Sequence, residues 1–267
     1  MTRLPGETTG RARGRQPTVL LSFAHPDDEA FLAAGTAAKC IAEEGARVVL
    51  CTATRGEGAT LRPGALYSRE ELGEAREAEL LRAAEAIGIA DVHLFAHPDR
   101  HLAEADPEVV RGELVRAIRL HRPQVVITFD PNGSNLHPDH IAISRFTADA
   151  VSAAADPRWI PDGGEAHSVS RLLWTGAEPL WKQLREAPSP DELARRPGVD
   201  YLVDVRAHRA RKRDALLAHL SQRHGIDRLF FQPGDEELVL GFEVFRDAWR
   251  AGALAKVRSG IFEDLVW

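Results

Sequence analysis

From residue 17 to about residue 155 the chain alternates apolar runs with stretches of helical periodicity. The runs at 18–24, 48–54, 92–95 and 125–129 are dense in Val, Ile, Leu and Phe and carry little polar alternation, the pattern of parallel strands buried on both faces. Between and after them, residues 29–44, 69–87, 107–121 and 138–154 have helical length and spacing. Ser68 with Glu71 three residues later forms a capping box ahead of the second helix, and Gly88 supplies its stop. A β-α-β-α series of this kind predicts a parallel sheet covered on both faces. Beyond residue 155 the pattern loosens. Segments 156–166 and 185–198 are rich in Pro, Gly and charge and read as loops, with further strands expected at 167–175, 201–205 and 237–245 and an Arg-rich helix at 207–223. The expected architecture is α/β: a Rossmann-like three-layer fold with a mostly parallel sheet and a smaller, looser C-terminal region. Its divisions are a flexible leader at 1–16, a core at 17–155, and a C-terminal substrate-pocket region at 156–267 belonging to the same domain.

Composition narrows the function classes. With 44% hydrophobic and 28% charged residues in 267, the chain is long enough and apolar enough for a substantial core, which excludes disordered and disulfide-scaffold readings. Net charge is −6 and no long basic run occurs, so nucleic acid is not an expected partner. No stretch has the length and apolarity of a membrane span, and the N-terminal segment has no apolar signal-peptide core, which points to a cytoplasmic protein. Cys40 and Cys51 both lie in apolar surroundings and read as buried thiols. Trp159, Trp174, Trp181 and Trp249 fall among the later loops and the C-terminal region, either as packing residues or as walls of a substrate pocket.

The first strand does not run into a glycine-rich phosphate turn. It ends in Ala24-His25-Pro26-Asp27-Asp28-Glu29, which disfavours dinucleotide binding because backbone amides have no close approach to a pyrophosphate. Helix-start chemistry accounts for Asp27 or Glu29 but not for His25. The fourth strand ends at Asp130, and after Pro-Asn-Gly-Ser-Asn comes His137-Pro138-Asp139-His140. In the common doubly wound order the first and fourth strands are neighbours at the crevice where ligands bind. His25, Asp28 and His140 then supply two neutral nitrogens and one carboxylate, a three-ligand set that leaves positions open for water, as catalytic metal sites do. A third tripeptide, His97-Pro98-Asp99, follows the third strand and is expected at the rim. Arg76 interrupts the apolar stripe Leu72, Leu80, Ala83, Ile87 and needs a partner.

At these residues the chain resembles the LmbE-like, PIG-L type family of zinc-dependent N-acetylglucosaminyl deacetylases. The AHPDDE of 24–29 and the HPDH of 137–140 look like its two signature motifs. Lesser matches are TRGEG at 54–58, Arg76 to Glu79, Pro98-Asp99 and HLSQ at 219–222. The resemblance implies that His25, Asp28 and His140 bind Zn2+, with Fe2+ as an alternative ion, and that Asp27 is the general base. It implies that His137 donates to the developing oxyanion with Asp139 as an orienting group, and that Arg76 and Asp99 contact sugar hydroxyls. The expected substrate is a small amino-sugar glycoside losing its acetyl group; a homo-oligomer is compatible with the sequence. Rival readings are an iron oxygenase, since two histidines and a carboxylate also form its facial triad, a sugar-binding module without catalysis, and a related amidase acting on a thiol or natural-product conjugate. Asp27 favours hydrolysis, because oxygenases need no base beside a ligand. Specificity is expected in the loops at 156–166 and 185–198.

Overall fold

The computed structural model describes residues 16–176, 180–186, 189–249 and 256–265, so the expected leader lies outside the described residues apart from Gln16. Three apolar runs form the centre of the sheet: β1 (Thr18–Phe23) and β2 (Arg47–Thr54), with β4 (Val125–Thr128) on the other side of β1; all their residues except Arg47 are buried. The half-buried β3 (Asp91–His97) is an edge strand. Past β4 come β5 (Arg171–Thr175), β6 (Tyr201–Asp204) and β7 (Phe242–Asp247), giving the order β3-β2-β1-β4-β5-β7-β6. Strands β1 to β5 run parallel, β7 is antiparallel to β5, and β6 is antiparallel to β7. The sheet is mostly parallel, as its alternating pattern predicts, with an antiparallel margin built from the looser C-terminal part.

The helices follow the strand order. The connections are α1 (Asp28–Leu32), α2 (Ala34–Glu44) and α3 (Leu72–Ile87) on one side of the sheet's turning point, and α4 (Pro107–His121), α5 (Gly133–Leu136) and α6 (Pro138–Ala154) on the other. Right-handed crossovers put these two sets on opposite faces once the strand order reverses at β1. Accordingly α4 packs on α6, while α2 and α3 pack with α9 (Arg209–Ala218). Shorter helices complete the chain: α7 (Leu180–Glu186), α8 (Pro190–Ala194), α10 (Arg223–Phe230) and α11 (Asp235–Leu238).

Several expected elements differ in their bounds, each for a local reason. The helix expected at 29–44 is two, because Ala33 leaves helical geometry at φ −142°. The capping box is present, with Ser68 N–H donating to Glu71 Oε2 at 2.9 Å and Glu71 N–H to Ser68 Oγ at 3.3 Å, but regular helix begins only at Leu72. The helix expected at 207–223 stops at Ala218, where His219 turns out of helical geometry and a single 3-10 turn, Leu220–Gln222, precedes α10. The strand expected at 237–245 starts later, at Phe242, because α11 occupies its beginning.

Arg119 on α4 fixes the loop that follows α6. Its guanidinium donates to the carbonyls of Ala153, Ala154, Asp156, Trp159, Ile160 and Gly164. The Arg111 guanidinium lies 4.3 Å over the Trp159 ring. Both thiols, Cys40 and Cys51, are free and buried. Phe23 and Phe129 meet edge to face with ring centres 5.2 Å apart, at the ends of the first and fourth strands. No helix among the described residues is long and apolar enough to cross a membrane.

Candidate metal centre and cleft

The chain leaves β1 through a strained corner. Asp27 adopts φ 116° and ψ −26°, a left-handed conformation that a side chain makes costly. The next residue opens α1, and Asp28 Oδ2 accepts the His25 backbone N–H at 2.8 Å, closing the corner onto itself. At the end of β4, Asp130 Oδ1 accepts Ser134 N–H at 2.7 Å and Oδ2 accepts Asn132 N–H at 3.2 Å, folding the chain back toward α6. Gly133 sits at the closest approach with φ +64°; a Cβ there would lie 2.6 Å from His140 Cβ. Glycine is therefore what lets the turn rest on the first turn of α6, where His140 lies flat on Phe129 with ring centres 4.0 Å apart.

The outer nitrogens of the two buried imidazoles already have partners. His140 Nδ1 lies 3.1 Å from the Gly133 carbonyl, which only accepts, so Nδ1 carries the proton and Nε2 a lone pair. His25 Nε2 faces Asp99 Oδ1 at 3.1 Å and Asp139 Oδ2 at 3.3 Å, so it is the protonated nitrogen and Nδ1 is bare. The two bare nitrogens then point at each other across 3.1 Å, with the Asp28 carboxylate 3.5 Å from each. Two lone pairs and an anion at such distances repel unless a proton or a metal cation lies between them. A tetrahedral ion with bonds of about 2.1 Å would separate its ligands by about 3.4 Å, so the donors fit a divalent metal in both chemistry and spacing. Outer-shell carboxylate and carbonyl partners of this kind orient metal-binding imidazoles. Two other donor triplets lie nearby, His25 with His137 and His140, and His25 with Asp99 and Asp139. They fit less well, since His137 Nδ1 accepts Asp139 N–H at 3.2 Å and His25 Nε2 is the protonated nitrogen.

Electrostatics describe the same demand. Burial by itself lowers the His25 pKa, yet Asp139, Asp28 and Asp99 together raise it well above the ordinary imidazole value. Burial pushes the Asp27 carboxyl up to about 7, against the lowering effect of Arg76. The Asp27 carboxylate receives Arg76 Nη2 at 3.0 Å, and the same guanidinium donates to the carbonyls of Pro26 and Gly56. Arg76 is thus the partnered cation its apolar stripe required, and it also lines the cleft. Asp99 lines it too, with Oδ2 accepting Gly58 N–H at 2.7 Å and its own N–H donating to Glu57 Oε1 at 2.9 Å. Asp139 is fully buried and accepts the N–H groups of Arg100 and Leu102 at 2.6 and 3.2 Å. His137 stands half-buried at the cleft with Nδ1 used as an acceptor, so the proton is on Nε2; burial lowers its pKa and keeps the ring neutral.

Sequence comparison settles where this arrangement belongs. Residues 20–151 match the family model described as PIG-L, GlcNAc-PI de-N-acetylase. A 1D-myo-inositol 2-acetamido-2-deoxy-alpha-D-glucopyranoside deacetylase from Geodermatophilus obscurus is 36% identical, over 85% of this chain and 90% of that protein. The chain belongs to the PIG-L family. Among solved structures, the N,N'-diacetylchitobiose deacetylase of Pyrococcus horikoshii shares the PIG-L-type fold with a TM-score of 0.65 at 21% identity, over 86% of this chain and 83% of that one. So does GalB, the 4-carboxy-2-hydroxymuconate hydratase of Pseudomonas putida, with a TM-score of 0.67 at 19% identity, over 90% of this chain and 99% of that one. A deacetylase and a hydratase on one fold mean that the reaction has to be argued from the site.

In this PIG-L chain the site opens into a cleft of about 1020 Å³. Its walls correct the sequence reading. They include residues 59–67, 220–225 and 227–229, together with Ser134 and Asn135, whereas the described residues of the loops at 156–166 and 185–198 do not line the cleft. Arg119 holds the first of those loops against α4, and Trp159, Trp174 and Trp249 are absent from the cleft lining; the Trp181 side chain lies outside the described residues. Glu57 and His219 carry no role legible from the sequence, and Glu29 reads there only as a cap, yet the fold gives both His219 and Glu29 a buried partner. His219 Nε2 lies 2.8 Å from Glu29 Oε1, both fully buried, across 190 residues of chain.

Proposed function

We propose that this chain is a metal-dependent hydrolase that removes the acetyl group from an N-acetylglucosamine-type glycoside, with His25, Asp28 and His140 holding the ion. The observation carrying this reading is the pair of bare imidazole nitrogens facing each other beside the Asp28 carboxylate. Zn2+ is the ion we assign; Fe2+ suits the same donors, and elemental analysis separates the two. When bound, the ion polarises the amide carbonyl and lowers the pKa of water held in the site. Asp27 takes one proton from that water as its oxygen bonds to the acetyl carbon. His137 Nε2–H donates to the carbonyl oxygen as it becomes an oxyanion. When the C–N bond breaks, the proton held by Asp27 passes to the departing nitrogen, so that water and amide become acetic acid and an amine, which exchange the acid's proton to leave acetate and an ammonium group. Asp139 and Asp99 orient His25 through its Nε2–H, and Arg76 holds the Asp27 carboxylate; we place the sugar ring over Arg76 and Asp99 on the cleft floor.

A 1020 Å³ cleft stands at the upper end of the roughly 300–1,000 Å³ of small-ligand pockets, which leaves room for an aglycone beyond the sugar. The inositol glycoside named for the Geodermatophilus obscurus relative is accordingly the first substrate to assay. The decisive experiment pairs elemental analysis with acetate release from that glycoside and from N,N'-diacetylchitobiose, before and after chelation. About one zinc or iron per chain with chelator-sensitive release is the expected result. Metal-free protein that stays metal-free when zinc is supplied would overturn the reading.

A further inference from the structure

Of the minor motifs of the sequence, Glu79 and the HLSQ of 219–222 have no part in the chemistry above, yet the fold joins them with Arg76 in one ring that closes on Asp27. Arg76 and Glu79 lie one turn apart on α3. Arg76 holds the Asp27 carboxylate at 3.0 Å. Glu79 Oε1 accepts Ser221 N–H at 2.8 Å and its Oε2 accepts the Ser221 hydroxyl at 2.6 Å. Two residues earlier His219 Nε2–H donates to Glu29 Oε1 at 2.8 Å, and Glu29 Oε2 accepts the Asp27 backbone N–H at 3.1 Å. Glu29, Glu79 and His219 are all 0% exposed. Asp27 is thereby gripped at both ends, backbone amide and carboxylate, in a backbone conformation its side chain disfavours. Strained residues of this sort persist only where the surroundings over-determine them.

We propose that Glu29 and His219 are positioning residues for Asp27: the buried carboxylate–imidazole pair fixes the Asp27 amide so that its side chain stays aimed at the reacting water. The inference rests on Asp27 as the base. Neither residue touches the three proposed metal donors through its side chain, so their effect separates from metal retention. A simple core pair would have no such link to one side chain's chemistry.

The test measures kcat, KM and bound metal for Glu29→Ala, His219→Ala and Glu29→Gln, alone and combined with Asp27→Asn. Expected is a fall in kcat of about 30-fold or more for the alanine variants, with KM within about twofold and metal at wild-type stoichiometry. Glu29→Gln, which keeps an acceptor for the Asp27 amide, recovers kcat to within about fivefold of wild type. In the Asp27→Asn background the alanine variants cause no further loss, because the role acts through Asp27. Wild-type kcat in metal-loaded Glu29→Ala, or a full additional loss on top of Asp27→Asn, overturns the inference. Should the alanine variants not fold, Glu29→Met, of similar size but without an acceptor for the Asp27 amide, takes their place against Glu29→Gln: the fall in kcat is expected in the first and not in the second, and equal kcat in the two overturns the inference. Wild-type turnover in Asp27→Asn alone overturns the base assignment itself, a separate failure read from a separate protein.

Discussion

Burial raises the Asp27 carboxyl to about 7, and Arg76 is the first of the groups that hold it down. A base with a pKa in that region is matched to proton transfer near neutral pH. The sign follows directly: turnover requires the ionised carboxylate, so kcat climbs as pH rises through the Asp27 pKa and levels off above it. A bound cation moves that limb to lower pH. The measurement is a kcat profile between pH 4.5 and 8.5, and the residual rate of Asp27→Asn is expected to lack the limb; an identical limb in that variant would assign it elsewhere. His137→Ala, removing the donor to the oxyanion, is expected to lower kcat by about 10²–10³ with bound metal unchanged; loss of the metal instead would move His137 into the ligand set. That His25, Asp28 and His140 meet in space was legible from the sequence, because each motif sits at a strand end and the strand order follows from the alternating pattern. The partner of Arg76 was legible only as a need, a guanidinium within an apolar stripe. The pairing of His219 with Glu29 had no local signal at all, since 190 residues separate them and each alone reads as an ordinary helix residue.

Single turns decide whether the elements deliver these side chains. Gly133 allows the turn after β4 to lie against α6, so Gly133→Ala is expected to push His140 off its stack on Phe129 and weaken metal binding at least about tenfold. Its melting temperature with metal removed would stay close to that of the metal-free parent; a large drop there would mean that the turn serves folding instead. The opposite balance is expected at Arg119, whose guanidinium serves six carbonyls far from the cleft. Arg119→Ala leaves those carbonyls to find water and is expected to cost about 3 kcal/mol. A calorimetric midpoint lower by roughly 6–12 °C with unchanged kcat would bear this out; unchanged stability would sink it. Element boundaries were read from sequence most securely where capping chemistry is local, as in α4 and α6, which both start at a proline and keep their expected bounds. They were read least well after residue 205, where tertiary partners such as Glu29 break a helical pattern that the sequence alone would continue.

Across the whole molecule, the looser C-terminal part is tied into the first half by buried polar contacts. Glu243 on β7 accepts the Gly35 and Thr36 N–H groups at 2.9 and 2.7 Å and pairs with the buried Lys212 at 2.9 Å. A fragment spanning residues 17–155 would expose the open edge of β4 and lose these anchors. It is expected to show no cooperative thermal transition by circular dichroism, and a sigmoidal melt like that of the intact chain would prove the first half autonomous. The position of the cleft walls has a consequence of another kind. The proposed chemistry stands on strand ends and first helical turns, whereas much of the cleft wall comes from short stretches, 59–67, 220–225 and 227–229, that contribute none of the three proposed donors. If those stretches face the aglycone, recognition and reaction stand on different pieces of chain. Grafting those stretches between homologues should transplant substrate preference while the ion and its chemistry stay behind, so that descendants of one ancestor could diversify their diet without reinventing the blade.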